Sequence, residues 1–299
     1  MEVFVTGATG LVGRRLVGAL LARGDSVTAL SRNPSARFPP GVKVLAGDPA
    51  SAGPWQDALA RADACLSLAG DPLLGRWTAA KKRRIRESRV GSTARVAEVV
   101  GSAGPRVLVC ASAVGFYGDR GDEVLTESSP AGEGFLADTC RDWEAAAAPA
   151  RARARVVHLR TGIVLARDGG GLGLLVLPFR LLVGGPLGSG RQWQAWIHAD
   201  DHLALALLAL DDPRVEGPLN AVGPEPLTSR DMARAIGRVL GRPSFLPAPE
   251  LAIRAILGEA AAIPLSSQRA VPGKALDLGF RFRYPTVEEA LRDLLGGAG

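Results

Sequence analysis

The sequence predicts an α/β protein, a doubly wound parallel sheet with a smaller C-terminal lobe. Three observations point there. β-rich and helix-periodic segments alternate from residue 2 to residue 161, a glycine-spaced turn joins the first strand to the first helix, and beyond residue 165 the alternation fades into a Leu-rich and then mostly helical stretch. A chain of 299 residues lies near the upper limit for one hydrophobic core. The expected organisation is a sheet domain over residues 1–165 and a lobe over 166–299, with late sheet elements interleaved to about 222 and a helical part over about 245–297.

The elements follow in order. Glu2–Thr6 is a short β-rich run, and Gly7 to Gly13 leads into a segment with apolar Leu16, Leu20 and Leu21 that stops at Gly24. Ser26–Ser31 and Val42–Leu45 read as strands, Trp55–Arg61 as a helix and Ala64–Leu68 as a fourth strand. Trp77–Ala103 has a long helical pattern, Arg106–Ala111 is a fifth strand, Phe135–Ala148 a helix and Val156–Thr161 a sixth strand. In the second half, Leu172–Val183 is Leu-rich, Asp200–Leu210 and Ser229–Leu240 read as helices, and Pro218–Val222 as a strand. No internal repeat is present.

Composition narrows the function classes. With 47% hydrophobic and 22% charged residues the chain is globular, not disordered. No apolar run reaches the roughly 18 residues that a membrane span needs. Three scattered cysteines (Cys65, Cys110, Cys140) suit a reducing cytoplasm and form no metal-ligand spacing. His158, His198 and His202 make no metal pattern either, so no metal is expected. The net charge of +6 comes mostly from arginine, the only lysines being Lys43, Lys81, Lys82 and Lys274. The run Lys81–Arg84 reads as a solvated helix face, and without interleaved aromatics no nucleic-acid partner is expected.

The most informative motif is Gly7-Ala8-Thr9-Gly10-Leu11-Val12-Gly13, a GxxGxxG turn between strand and helix. Gly7 and Gly10 let the backbone approach a pyrophosphate, Gly13 permits close helix–strand packing, and the N–H groups at the helix start face the anion. The second strand ends in Ser31-Arg32-Asn33, with no acid to hold ribose hydroxyls; a guanidinium and a hydroxyl there suit the adenosine 2′-phosphate of NADP. Asp48 after the third strand is placed to reach the adenine, and Ala69-Gly70 after the fourth lets the backbone pass the cofactor.

The chain resembles the extended short-chain dehydrogenase/reductase group. More narrowly, it resembles the NAD-dependent epimerase/dehydratase-related subfamily whose C-terminus carries a helical domain. The matching blocks include Thr6 to Gly13, Ser31-Arg32, Leu68-Ala69-Gly70 with Arg76-Trp77, Glu87-Ser88-Arg89, Ser112 to Gly118, Trp143-Glu144 and Trp196 to Asp201. The resemblance implies a Rossmann sheet, NADP binding and a cofactor site that includes Ser31, Arg32, Leu68, Ala69 and Arg89.

It departs from the wider superfamily where catalysis should sit. That group pairs a tyrosine acid with a lysine four residues on. Here the only tyrosines are Tyr117 and Tyr284, followed at that spacing by Gly121 and Glu288. Aligned on Glu144, Leu136 and Cys140 occupy the tyrosine and lysine positions. Ser112 remains as the expected polarising serine, or else satisfies a strand-end backbone group, and Tyr117 is the nearest replacement acid, or else a packing residue. Trp196 and His198 are candidate walls of a substrate cleft; the plainer alternative has Asp200 or Asp201 capping a helix beside a satisfied His198. Two functions stay open: an NADP-dependent oxidoreductase or epimerase acting on a small carbonyl or sugar-nucleotide substrate, and an NADP(H)-binding regulatory or interaction protein without turnover. The sequence leaves the substrate and the oligomeric state open.

Overall fold

A computed structural model describes residues 1–296. Its centre is a seven-stranded parallel sheet built from β1 (Glu2–Thr6), β2 (Ser26–Ser31), β3 (Val42–Ala46), β4 (Ala64–Ser67), β5 (Val107–Ala113) and β6 (Arg155–Thr161). Two shorter strands, β7 (Ile163–Ala166) and β8 (Trp196–His198), precede the last sheet strand, β9 (Gly217–Ala221). The sheet order is β9-β6-β5-β4-β1-β2-β3. The order reverses at β1, and at such a switch point the crossovers leave for opposite faces and open a crevice at the carboxyl edge.

The helices are α1 (Leu11–Ala22), α2 (Trp55–Leu59), α3 (Ala79–Ser102), α4 (Phe135–Ala145), α5 (Leu172–Arg180), α6 (Ala199–Asp211), α7 (Ser229–Leu240) and α8 (Glu250–Leu257), followed by the shorter α9 (Ala262–Leu265) and α10 (Gly273–Asp277) and by α11 (Val287–Leu295). β1 is buried from Val3 to Thr6, and β4 throughout, as parallel strands covered on both faces must be. One core lies between the sheet and the α1/α6 face, with Val5, Leu16, Leu20, Leu205 and Leu219. A second lies under α2 and α3, with Phe4, Trp55, Leu59, Val96 and Leu108. A third joins α5, α7 and α11 around Trp196, Phe179, Met232 and Leu291. The edge strand β9 comes from the second half of the chain and pairs with β6 from Gly217–Val157 to Ala221–Thr161.

The sequence did not show β7 and β8. They pair in parallel, Trp196 with Ile163 and His198 with Leu165, and Gly169–Gly170 folds back as a third, antiparallel strand. Segments of three or four residues carry too little period to be recognised. The fifth strand runs two residues further than its apolar pattern predicts, so Ser112 lies within β5, where it pairs with Arg160 of β6.

Candidate dinucleotide cleft and its neighbouring cavity

The turn after β1 holds Gly7 at φ +68°, in the left-handed region. A Cβ there would lie 2.6 Å from the carbonyl carbon of Leu68, and one on Gly13 would lie 2.3 Å from the Gly7 oxygen. Both positions are therefore closed to any side chain. Gly10 is the N-cap of α1 and offers no side-chain cap, and the first turn carries no acidic residue. The N–H groups of Leu11, Val12 and Gly13 at the start of α1 lack helical partners, which makes this end an anion site. The Leu11 side chain turns away toward Gly169–Gly170.

A cleft of about 510 Å³ opens from this turn along the carboxyl ends of β1, β2 and β4, lined by Gly7, Thr9, Gly10, Ser31, Arg32, Asp48, Leu68, Ala69 and Gly70. Thr6 ties its floor together, its Oγ1 accepting from the N–H groups of Leu68 (3.1 Å) and Ala69 (3.3 Å). The Ser31 hydroxyl donates to the Asn33 carbonyl at 2.9 Å and accepts from its N–H at 3.1 Å, forming a tight turn. Arg32 is exposed on the cleft wall and, among the described residues, has no ion pair or hydrogen bond. Asp48 accepts from the Ala50 N–H at 2.9 Å.

The basic run is not uniformly a solvated face. Lys81 pairs with Asp71 at 2.7 Å and Lys82 with Glu259 at 2.6 Å, whereas Arg84 lines the cleft beside Ser88, in the same wall as Arg32. The Lys81 hydrogen bond, foremost, holds the Asp71 carboxyl below its usual range. Arg89 lies behind the cleft: it donates to the carbonyls of Asp71 (3.0 Å) and Ile85 (3.1 Å), and Gly70 leaves room for its guanidinium. Burial lowers the pKa of Arg89.

At the carboxyl end of β5 lies a chain of polar side chains. The Ser112 hydroxyl donates to Glu144 Oε1 at 2.7 Å. Arg160 grips the same carboxylate with two bonds of 2.9 Å and donates to the Tyr117 hydroxyl at 3.0 Å, which in turn donates to Asn220 Oδ1 at 2.6 Å. Tyr117 is fully buried, and burial raises its pKa. The expectation that Tyr117 faces a substrate is therefore corrected: its phenol is used up inside the protein. Cys140 is buried too, its thiol pushed up to about 12 by burial and then by Glu144, so it is no acid or nucleophile at neutral pH.

Trp196 and His198 also need correction. Trp196 is 1% exposed and its indole donates to the Glu225 carbonyl at 2.9 Å. His198 is 2% exposed, stacks on Tyr284 with ring centres 3.8 Å apart, and itself caps α6 by accepting from the Asp200 N–H at 3.1 Å. Asp201, the alternative cap, instead accepts from the N–H groups of Arg283 and Tyr284. Neither aromatic residue lines a cleft.

The open space on that side lies elsewhere. A cavity of about 410 Å³ sits between α5, α7 and α8, lined by Leu73, Ile163, Leu175, Met232 and Ile263, among others. Among the described residues its wall has no charged side chain and two polar ones, Gln194 and Ser229. Leu73, Leu257 and Ile263 share an apolar cluster with Phe135 and Leu136, and Leu136 lies against Gly115 beyond β5. One loop joins the two spaces, with residues 68–72 walling the cleft and 73–75 the cavity.

A family model described as the NAD dependent epimerase/dehydratase family matches residues 3–167, the whole half that builds the cleft. The chain belongs to that family. A second model, a domain of unknown function (DUF1731), matches residues 248–294 of this epimerase-family chain. The chain is similar to the epimerase family protein SDR39U1 homolog, chloroplastic, of Arabidopsis thaliana, at 40% identity over 99% of this chain and 87% of that one. It is similar at 36% to the epimerase family protein YfhF of Bacillus subtilis, over 99% and 98% of the two chains. Among solved structures, human epimerase family protein SDR39U1 (isoform 2) with NADPH superposes with a TM-score of 0.88 at 33% identity, covering 99% of both chains. A Thermus thermophilus UDP-glucose 4-epimerase complex with NAD, 21% identical with a TM-score of 0.76, shares the fold. The fold, the family and NAD(P) binding are thereby placed together on this epimerase-family chain. Among the described residues no group of three or more acidic, histidine or cysteine side chains is arranged to hold a metal, and no helix is long and apolar enough to cross a membrane.

Sequence reasoning missed Arg84, Thr6, Arg160 and Gln194. The basic run was the available signal for Arg84. Thr6 and Arg160 become visible only through partners far away in the chain, and Gln194 only through the cavity it lines.

Proposed function

We propose that this epimerase-family chain binds NADP(H) in preference to NAD(H) and acts as an oxidoreductase or epimerase on a small carbonyl substrate. The observation that carries the reading is the cleft wall at the end of β2, where Arg32 and Arg84 present guanidinium groups with no partner among the described residues and where the strand ends in Ser31-Arg32-Asn33 without an acid. A solved relative with NADPH supports the same preference. In this reading Gly7, Thr9, Gly10, Leu11, Val12 and Gly13 hold the pyrophosphate. Arg32 and Arg84 hold the 2′-phosphate, with Ser31 shaping the turn that presents Arg32. Asp48 borders the adenine, Leu68, Ala69 and Gly70 let the cofactor pass, and Arg89 fixes the 70–71 loop from behind. When bound, the dinucleotide supplies hydride transfer.

Ser112 is the candidate catalytic residue. Its proton is committed to Glu144, which Arg160 grips with two hydrogen bonds, so Ser112 orients a substrate oxygen through its remaining lone pairs or through a water and is a poor final proton source. A second reading, an NADP(H)-responsive binding protein without turnover, draws on one specific observation. Leu136 and the inert thiol of Cys140 stand where the family pattern has its acid and its lysine.

Calorimetric titration of the purified chain with NADPH and NADH tests the cofactor assignment. Tighter binding of NADPH is expected, and equal or tighter binding of NADH overturns it. Stoichiometric loss of nicotinamide absorbance with a panel of ketones and aldehydes shows reductase turnover, whereas epimerase turnover leaves the absorbance unchanged and shows as inverted configuration of a chiral alcohol incubated with the chain and NADP. Neither signal across the panel favours the second reading.

A further inference from the structure

The cavity between α5, α7 and α8 is built for a particular chemistry. Its wall is apolar apart from Gln194 and Ser229, and among the described residues none lining it carries a charge that could meet a diphosphate. The mouth is apolar as well: Leu74, Leu174 and Ile256 line it while remaining 66%, 59% and 69% exposed. Leaving such side chains in water is unfavourable, and contiguous apolar surface of this kind marks a binding site.

Gln194 supplies the polar element. It is 6% exposed, lines the cavity, and its Oε1 is shut off from solvent with no hydrogen-bond partner. A buried carboxamide left unpaired costs free energy unless a ligand group completes it. Ser229 already accepts from the Leu187 N–H at 3.0 Å, which leaves the carboxamide as the unmet group. The unmet atom is an acceptor, so one hydroxyl that donates to it suffices.

We infer that the cavity takes a lipophilic molecule, a hydrocarbon body with a single hydroxyl group donating to Gln194 Oε1, rather than a sugar nucleotide. This rests on the proposed function in one respect, that the cavity ligand is the substrate of the neighbouring dinucleotide. The adjoining loop and the apolar bridge through Leu73 and Leu136 toward β5 support that connection.

The test titrates the full-length chain, with and without saturating NADPH, with 2-alkanols from 2-hexanol to 2-dodecanol and with UDP-glucose. Affinity should rise about fourfold per methylene until the cavity is filled, and UDP-glucose should give no signal. Gln194→Leu, which removes an unsatisfied group and so should fold, is expected to weaken 2-nonanol about threefold to tenfold while keeping the chain-length trend. Ile256→Glu, at an exposed position, should erase the gain for the longest alcohols only. Flat affinity across the series, or UDP-glucose binding that survives Ile256→Glu, overturns the inference while NADPH heats leave the cofactor reading standing. Alkanol binding without any NADPH binding overturns the assignment of the ligand as substrate. Affinity that falls as protein concentration rises marks the rim as a self-association face and also overturns it.

Discussion

The cleft and the cavity adjoin each other and are made by opposite means. The anion end of the cleft is main chain: a turn without side chains at Gly7, Gly10 and Gly13 and the open start of α1, beside the ends of neighbouring strands. The cavity is mostly side chain, gathered from four regions of sequence between Leu73 and Pro264. A site made of backbone depends on a few local positions and tolerates no substituent there. A site made of side chains spreads its cost over many residues, and each can change with a small penalty.

Gly10→Val gives the sharpest contrast and the largest effect. A Cβ at this position meets only the Gly7 oxygen at 3.3 Å, so the fold should stand, while the branched side chain fills the pyrophosphate position. Dinucleotide affinity should fall at least about a hundredfold with little change in Tm, since close backbone approach is what the loop provides. Retained NADPH binding in calorimetry would break the contrast at its root. Arg32→Ala comes next: a lost charge-assisted bond corresponds to about tenfold to a hundredfold for NADPH, with NADH nearly unaffected. Equal losses for both nucleotides would move the 2′-phosphate elsewhere.

Tyr117→Phe probes the polar chain beside the two spaces. It strips a partner from buried Arg160 and from Asn220, so thermal melting should report a loss of about 1–3 kcal/mol, while any ketone-dependent NADPH oxidation should keep its rate. A large rate loss with an unchanged Tm would return Tyr117 to the reacting centre. The smallest effect is one of pH. Burial pushes His158 and His202 down to about 4 from 6.5, so between those values the unfolded chain binds more protons than the folded one. Stability should therefore fall as pH drops from about 6.5 toward 4, each histidine contributing a slope of about 1.4 kcal/mol per pH unit. His158, whose ring nitrogens have no partner, offers the check: His158→Leu should flatten the Tm-versus-pH curve by one proton's worth.

The same division explains what could be read from the chain alone. The seven-residue turn, Arg32 at the end of β2 and the Ala69-Gly70 step announce themselves because motif and structure are neighbours in sequence. Tyr117 misled because its five-residue distance from Ser112 suggested a shared loop, whereas Arg160 and Asn220, 43 and 103 residues away, claim its hydroxyl. Trp196 and His198 misled for a related reason. Aromatic residues beside paired aspartates suggest a cleft, but Glu225, 29 residues beyond Trp196, and Tyr284, near the end of the chain, cover them. Gln194 gives no signal in sequence, since its significance is the lack of a partner.

The short stretch from Leu68 to Gly75 belongs to both chambers. Whatever pushes on it from one side reshapes the wall of the other, and thermodynamic reciprocity then requires equal factors in both directions. An occupant that tightens the grip on the nucleotide tenfold must itself be held tenfold more firmly once the nucleotide has arrived.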